Sequence, residues 1–258
     1  MNLVEIDREG SAAVVTLKRL ERLNALGHEL VSELIGALDI LDVDEAVRGV
    51  VITGSERAFS AGGDLNETIE VDTVVKSLRY LARMRRLTAT IEDLSKPVVA
   101  AIRGFCYTGG LEIALACDRR IAARDAQFSV SSARMGSVAG LGGTQQLPRI
   151  AGSAIAKDIL LTSRVFGGVE AGRWGVVDEV VPAEETVQRA VSWVEMVAQS
   201  APVAVWLNKI AVNVGPGMDL ASSLQFEGLL NALAFTTEDR REGMSAILAK
   251  RPATFKGR

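Results

Sequence analysis

The chain is 258 residues long, 48% of them apolar, with a formal net charge of −3, one histidine and two cysteines. Charges of both signs are interspersed, and without a basic tract the footprint of a nucleic-acid binder is missing. Cys106 and Cys117 make no disulfide framework and, without clustered histidines, no zinc site, while a lone His28 excludes Ser-His-Asp or Cys-His chemistry unless it is itself the base.

The first residues, MNLVEIDREG, are too polar for a signal peptide. The most apolar region, KPVVAAIRGFCYTGGLEIALACD, is broken by Arg103, glycines, Glu112 and Asp118, short of the ~20 unbroken apolar residues that cross a bilayer. A cytoplasmic protein of a reducing compartment is expected. Residues 3–7 and 12–18 flank the turn REGS and predict a hairpin. Over 28–42, Leu30, Leu34, Leu38 and Leu41 recur on one face and predict an amphipathic helix, with His28 on the surface of its first turn. RGVVITG (48–54) reads as a short buried strand. A helix is predicted from about 71 to 94, with Leu78, Leu81, Leu87 and Ile91 inward and Arg83, Arg85 and Arg86 on a solvated face. Pro97 ends it, and PVVAAI is again a strand.

GFCYTGGLEIALACD then supplies a glycine-rich turn, a short apolar helix and Asp118, followed by the strand RRIAA. Short strands separated by helices argue an α/β fold with much parallel pairing. Beyond residue 182 the pattern turns helical, over 183–200, 202–213, 219–235 and 238–249, with Pro202 suited to a helix start and GPG (215–217) a break.

Two glycine-rich exits leave apolar strands, ITGSERAFSAGGDL and VVAAIRGFCYTGG. The second runs into a helix whose first N–H groups are free and whose dipole end is positive. Neither contains GxGxxG or a P-loop lysine, so pyrophosphate binding is disfavoured. One such turn alone reads as structural. Two of them beside a buried acid read better as a pair of backbone donors for a carbonyl oxygen. The acid is Glu112, set among Leu111, Ile113, Ala114 and Leu115. A carboxylate there is costly unless paired, with Arg119 or Arg120 as candidate partners, or used as an acid–base group.

The segments AFSAGGDL (58–65), AIRGFCYTGGLEIALACD (101–118), AQFSVSSARMGSVAGLGGTQQLPRIAG (126–152) and TEDRREGMSAILAKRPATFKGR (237–258) resemble the enoyl-CoA hydratase/isomerase, or crotonase, superfamily. The resemblance spans essentially the whole chain. It implies a spiral of ββα units over 1–195, a helical trimerisation region over 196–258, and a homotrimer or dimer of trimers. It implies a coenzyme A thioester as substrate, no tightly bound cofactor and no metal. By position it places the oxyanion hole at the N–H groups of Ala61 and Gly109, with Gly62, Gly63, Asp64, Leu65 and Gly110 along the substrate and Asp64 as a possible helix cap. RLERLNAL (19–26) matches the segment along the coenzyme, with contacts from Arg22, Leu23 and Ala25, although Leu20 stands where the family usually has proline. Lys250 matches a lysine that reaches the coenzyme phosphates, its alternative being an ordinary surface lysine. Gly136, Leu141 and Thr144 are expected at the acyl wall. Arg134 is expected either to hold a substrate carboxylate or to be solvated.

Hydratases of this superfamily use two glutamates around one water. Glu112 matches the first, but Ser131 and Ser132 stand where a proline and the second glutamate are expected. The implied activity is therefore a hydratase-like reaction through a thioester enolate with Glu112 as the single acid–base group. Isomerisation, decarboxylation, thioester hydrolysis and non-catalytic acyl-CoA binding stay open as alternatives, a pure scaffold oligomer being a minor one.

Overall fold

The computed structural model describes residues 2–258. Strands β1 (Val4–Glu9) and β2 (Ala12–Leu17) form the expected hairpin, Val4 opposite Leu17, closed by Gly10 at φ 61°. Helix α1 (His28–Val43) buries Leu30, Leu34, Leu38 and Leu41, and His28 is exposed in its first turn. Three units with a common plan follow. The first contains β3 (Gly49–Thr53), β4 (Ala58–Ser60), the short α2 (Leu65–Thr68) and α3 (Val74–Asp93). The second contains β5 (Val98–Ile102), β6 (Phe105–Tyr107) and α4 (Gly109–Ala116). The third contains β7 (Arg119–Ala123), β8 (Gln127–Ser129), a 3-10 turn over Ser132–Met135 and α5 (Gly143–Ala151).

In each unit the first strand joins one sheet and the second joins another. The larger sheet has the order β1-β2-β3-β5-β7-β10, and every neighbour pair from β2 to β10 is parallel. The smaller has the order β4-β6-β8-β9. Their last members come after α6 (Ser153–Thr162): β9 (Phe166–Gly167), α7 (Gly168–Arg173) and β10 (Glu179–Val181). Helices α8 (Thr186–Val197), α9 (Pro202–Val214), α10 (Leu220–Phe235) and α11 (Glu238–Ala249) complete the chain, each close to its predicted range.

Both faces of β2, β3, β5 and β7 are covered, which is why these strands read as apolar runs rather than alternating ones, whereas the edge strand β1 is largely exposed. On one face Val50, Ile52, Val98 and Ala100 join the core with α1, α3 and α4. On the other, Val51, Val99 and Ile121 pack with Ala190, Val191 and Val194 of α8. The smaller sheet was invisible in the sequence because three-residue strands carry no period to detect. The helix predicted over 71–94 starts three residues later, at Val74, and Leu78 is solvent-facing at 63% exposure; the fully buried apolar residues of α3, Met84, Leu87 and Ile91, lie in its second half, with Tyr80 packing partly against the core ahead of them.

The first turn of α4 presses against the end of β4. A methyl group on Gly110 would lie 2.4 Å from Ser60 O and 2.9 Å from Ser60 Cβ. Gly110→Ala is therefore expected to cost about 1–3 kcal/mol of stability through overpacking, read as a lower urea midpoint at unchanged slope.

Candidate active site

The site is assembled where three backbone segments meet: the loop 19–27, the exit from β4, and the start of α4. The first two are sewn together. Asn24, fully buried at φ 55°, donates Nδ2 to Ala58 O (3.0 Å) and Phe59 O (3.2 Å), and its own carbonyl accepts from Ser60 Oγ (2.8 Å). The Ala61 N–H donates to Leu23 O (2.9 Å), Leu26 N–H to Gly62 O (2.7 Å) and Asp64 N–H to Leu26 O (3.3 Å). Arg19 closes the seam, pairing with Asp64 (2.7 Å) and donating to Ala25 O (2.9 Å). Asp64 also caps α2 by accepting from Asn66 N–H (2.9 Å). Burial alone would raise the Asp64 pKa, but the Asn66 and Arg19 hydrogen bonds hold it below the ordinary carboxylate range.

These bonds correct one sequence expectation. Ala61 was expected to offer its N–H to a ligand, but that N–H is taken by Leu23 O. The chain turns at Gly62, at φ +96°, where a methyl group would lie 2.8 Å from Tyr107 O. After that turn the Gly63 nitrogen comes out beside Gly109, 3.4 Å from the point a Gly109 methyl would occupy. Among the described residues, neither the Gly63 nor the Gly109 N–H donates to a protein acceptor. Gly109 opens α4, so its N–H is one of the orphan donors of a helix start. The two unclaimed donors are thus Gly63 and Gly109.

Glu112 sits one turn into α4 and is 3% exposed. One oxygen is fixed: Oε1 accepts from Leu141 N–H (2.8 Å) and Gly143 N–H (2.9 Å). The other, Oε2, has no protein partner among the described residues. Burial raises the pKa; the Gly143 and Leu141 hydrogen bonds and the charge of Arg85 oppose it without cancelling it. A carboxylate made more basic, with one oxygen held and one free, is suited to proton transfer. The proposed structural partners are engaged elsewhere: Arg120 pairs with Asp178 (2.8 Å) and Arg119 with Glu179 (3.1 Å).

The wall is mixed. Leu141 is buried and its Cδ1 would stand 3.4 Å from a Gly109 methyl, with Leu26 Cδ1 at 3.2 Å. Thr144 is half-buried in the first turn of α5. Ser132 is buried at the start of the 3-10 turn. Ala25 is buried, Leu23 half-buried and Arg22 exposed on the loop. Gly136 and Leu65 are exposed. Arg134 does not enter the site; it is exposed and donates to Thr162 O (3.4 Å), because the 3-10 turn directs it toward the end of α6. Lys250 is exposed in a left-handed cap at the end of α11, and no hydrogen bond or ion pair ties it to the cluster.

The sequence reading missed Tyr80. Its hydroxyl would lie 2.9 Å from a Gly63 methyl, so a phenol reaches the rim of the hole from α3. Burial raises its pKa, the Glu67 charge adds to this and Arg83 opposes it, which keeps it a donor at neutral pH. Asn24, Arg19 and Ser60 were missed as well; their partners lie far along the chain, so no local pattern marks them.

The family model described as enoyl-CoA hydratase/isomerase matches residues 7–258. A probable enoyl-CoA hydratase of Rhizobium meliloti is 39% identical over 98% of this chain and 97% of its own length. The short-chain-enoyl-CoA hydratase of Clostridium acetobutylicum is 36% identical over 97% of this chain and 96% of its own length. The crystal structure of enoyl-CoA hydratase from Bacillus anthracis superposes with a TM-score of 0.93 at 34% identity, covering 99% of this chain and all of that one.

A buried acid with a raised pKa weakens the fold above its unfolded pKa. Well below the ordinary Glu value of 4.5 both states hold the proton and nothing is lost. As pH rises through that value the unfolded chain ionises first and stability falls until the folded group ionises too. Glu112→Gln is therefore expected to melt at or above the wild-type temperature at pH 7.5, with the difference shrinking toward pH 4.5, in thermal scans at both pH values.

Proposed function

The chain belongs to the enoyl-CoA hydratase/isomerase family, and on that premise we propose that it seats a thioester oxygen between the Gly63 and Gly109 N–H groups and moves protons with Glu112. One observation carries the reading: two unclaimed backbone donors lie beside a carboxylate whose second oxygen is free. A thioester oxygen gathers negative charge when its acyl group becomes an enolate. Two preorganised N–H donors stabilise that charge more than they stabilise the ground state, which is the condition for acceleration.

The reaction we favour is hydration of a 2-enoyl-CoA. Glu112 Oε2 takes a proton from water as the water oxygen bonds to C3. The C2–C3 electron pair shifts so that charge collects on the thioester oxygen. Glu112 then returns the proton to C2, and the product is the 3-hydroxyacyl thioester. Ser132 cannot share this task, since a hydroxyl does not accept a proton at neutral pH. Lacking one acid–base group typically costs about 10²–10⁴ in rate, so hydration is expected to be slow. A double-bond shift needs only one base that carries a proton between two carbons, and the single carboxylate fits that second reading.

Oligomerisation is part of the proposal. Leu220, Leu224, Leu229 and Leu233 of α10 and Ile247 and Leu248 of α11 are all more than half exposed, too much apolar surface for a free monomer. A homotrimer, or a dimer of trimers, would cover it. Lys250, beside Ile247 and Leu248, would then reach coenzyme phosphates bound by a neighbouring subunit.

With crotonyl-CoA, the expected product is 3-hydroxybutyryl-CoA, detected by mass spectrometry, with an acid limb in the kcat/KM profile lying above pH 4.5. Glu112→Gln should lose about 10²-fold or more in rate and the acid limb with it. Free thiol or loss of CO₂ from other acyl-CoAs, with no hydration, would reject hydration in favour of a different enolate chemistry. Leu224→Glu combined with Leu229→Glu is expected to reduce the sedimenting mass to that of one chain.

A further inference from the structure

Thr108 is the residue before Gly109, and its backbone is unusual. At φ 48° and ψ −111° it occupies the first central position of a II′-like turn, which suits glycine and is an outlier for a β-branched residue. Such strain persists only where the surroundings hold it. Here they hold it on three sides. The Thr108 N–H donates to Ser129 O (2.7 Å). The Ser131 N–H donates to Thr108 Oγ1 (3.2 Å), and the two hydroxyls are hydrogen-bonded to each other (3.0 Å). The Thr108 carbonyl accepts the Glu112 N–H (3.0 Å), the first bond of α4.

We propose that Thr108 is a positioning residue: its hydroxyl, tied to Ser131, locks the strained turn that aims the Gly109 N–H at the thioester oxygen. The inference rests on the oxyanion reading above. The peptide joining Thr108 to Gly109 carries the donor, so the dihedrals of Thr108 set where that N–H points. Without the tie, the turn relaxes toward angles that a β-branched residue prefers, and the peptide rotates with it. The same residue fixes the start of the helix that bears Glu112, so donor and acid are held in one frame. Ser131 therefore has a task independent of proton transfer: it is the anchor for the turn.

Four variants test this, each measured for kcat, KM, melting temperature and the near-UV enolate band formed with acetoacetyl-CoA. That band appears when the C2 proton leaves to Glu112 and the electron pair moves onto the oxygens of the bound ligand. Thr108→Val keeps the shape and removes the hydroxyl. Thr108→Gly removes the hydroxyl and the strain together. The Val variant is expected to lower kcat by about 10–100-fold, short of or equal to the loss of one hole donor, with KM changed by no more than about twofold and a weaker enolate band, whereas the Gly variant, which holds these angles without a tie, should stay within about twofold of wild type. The Gly variant should melt no lower than wild type, because glycine adopts these angles freely. Thr108→Ser should stay within about twofold of wild type in kcat, and Ser131→Ala should shift kcat in the same direction as Val. Wild-type kcat and a wild-type band in the Val variant would overturn the tie while leaving the oxyanion reading intact. If Ser failed as badly as Val, the hydroxyl would not be the cause and the inference would also fall. Absence of any enolate band in the wild-type chain would instead remove the oxyanion reading and this inference with it.

Discussion

A carboxylate inside an apolar helix is the constraint on which this architecture turns. Glu112 lies among Leu111, Ile113 and Ala114, all buried. Unpartnered, an ionised group there would cost several kcal/mol. The Leu141 and Gly143 N–H groups reduce that cost by bonding to a single oxygen. Because both bonds fall on Oε1, Oε2 stays available. The segment 139–143 that delivers those donors must approach closely, and Gly143 permits this: a methyl group there would lie 3.1 Å from Glu112 Oε1. Gly143, at the start of α5, thus serves the carboxylate before it serves any substrate.

The same logic of close approach governs the donors. Gly62 and Gly110 exclude a side chain because backbone atoms, Tyr107 O and Ser60 O, already occupy the space. Gly109 is different: its would-be methyl meets Leu26, Leu141 and the Gly63 nitrogen at 3.2–3.4 Å, in the space between the two donors. A glycine there keeps that space open. The frame comes from both sheets: the donor-bearing segments leave β4 and β6 of the smaller sheet, and the loop 19–27 that is sewn to them leaves β2 of the larger one.

Much of the fold was legible because its signals are long. Helices α1 and α8–α11 carry sustained periodicity, and the strands buried on both faces stand out as apolar runs. The strands β4, β6 and β8 did not, for three residues fit no period. The acid was legible as a charge in the wrong place. Its partner donors were legible only in part. Gly109 was placed by the family resemblance, and the free N–H groups that every helix start leaves agree with that placing. The choice between Ala61 and Gly63 depended on where one peptide points after a positive-φ turn at Gly62 and on the Leu23 carbonyl, 38 residues earlier, which claims the Ala61 N–H. Nothing local in the sequence encodes that claim. Arg134 shows the converse: its charge left a ligand role and a solvated one both open, and the 3-10 turn settles it as exposed, donating to Thr162 O.

On the proposed reading, with Ser132 standing where the family resemblance implies a second carboxylate, the remaining groups must do more. With two acids, one can activate water while the other protonates carbon, and each is tuned for its half. With Glu112 alone, one group must be base and then acid, so its pKa has to favour neither role strongly. Burial raises it and two backbone bonds restrain the rise, which places it between a surface glutamate and an unpartnered buried one. The more of the transition-state charge the Gly63 and Gly109 donors carry, the less depends on the missing acid. Precision in those two N–H directions is then the property under greatest demand, and a β-branched residue at positive φ immediately before Gly109 is where the structure concentrates its strain.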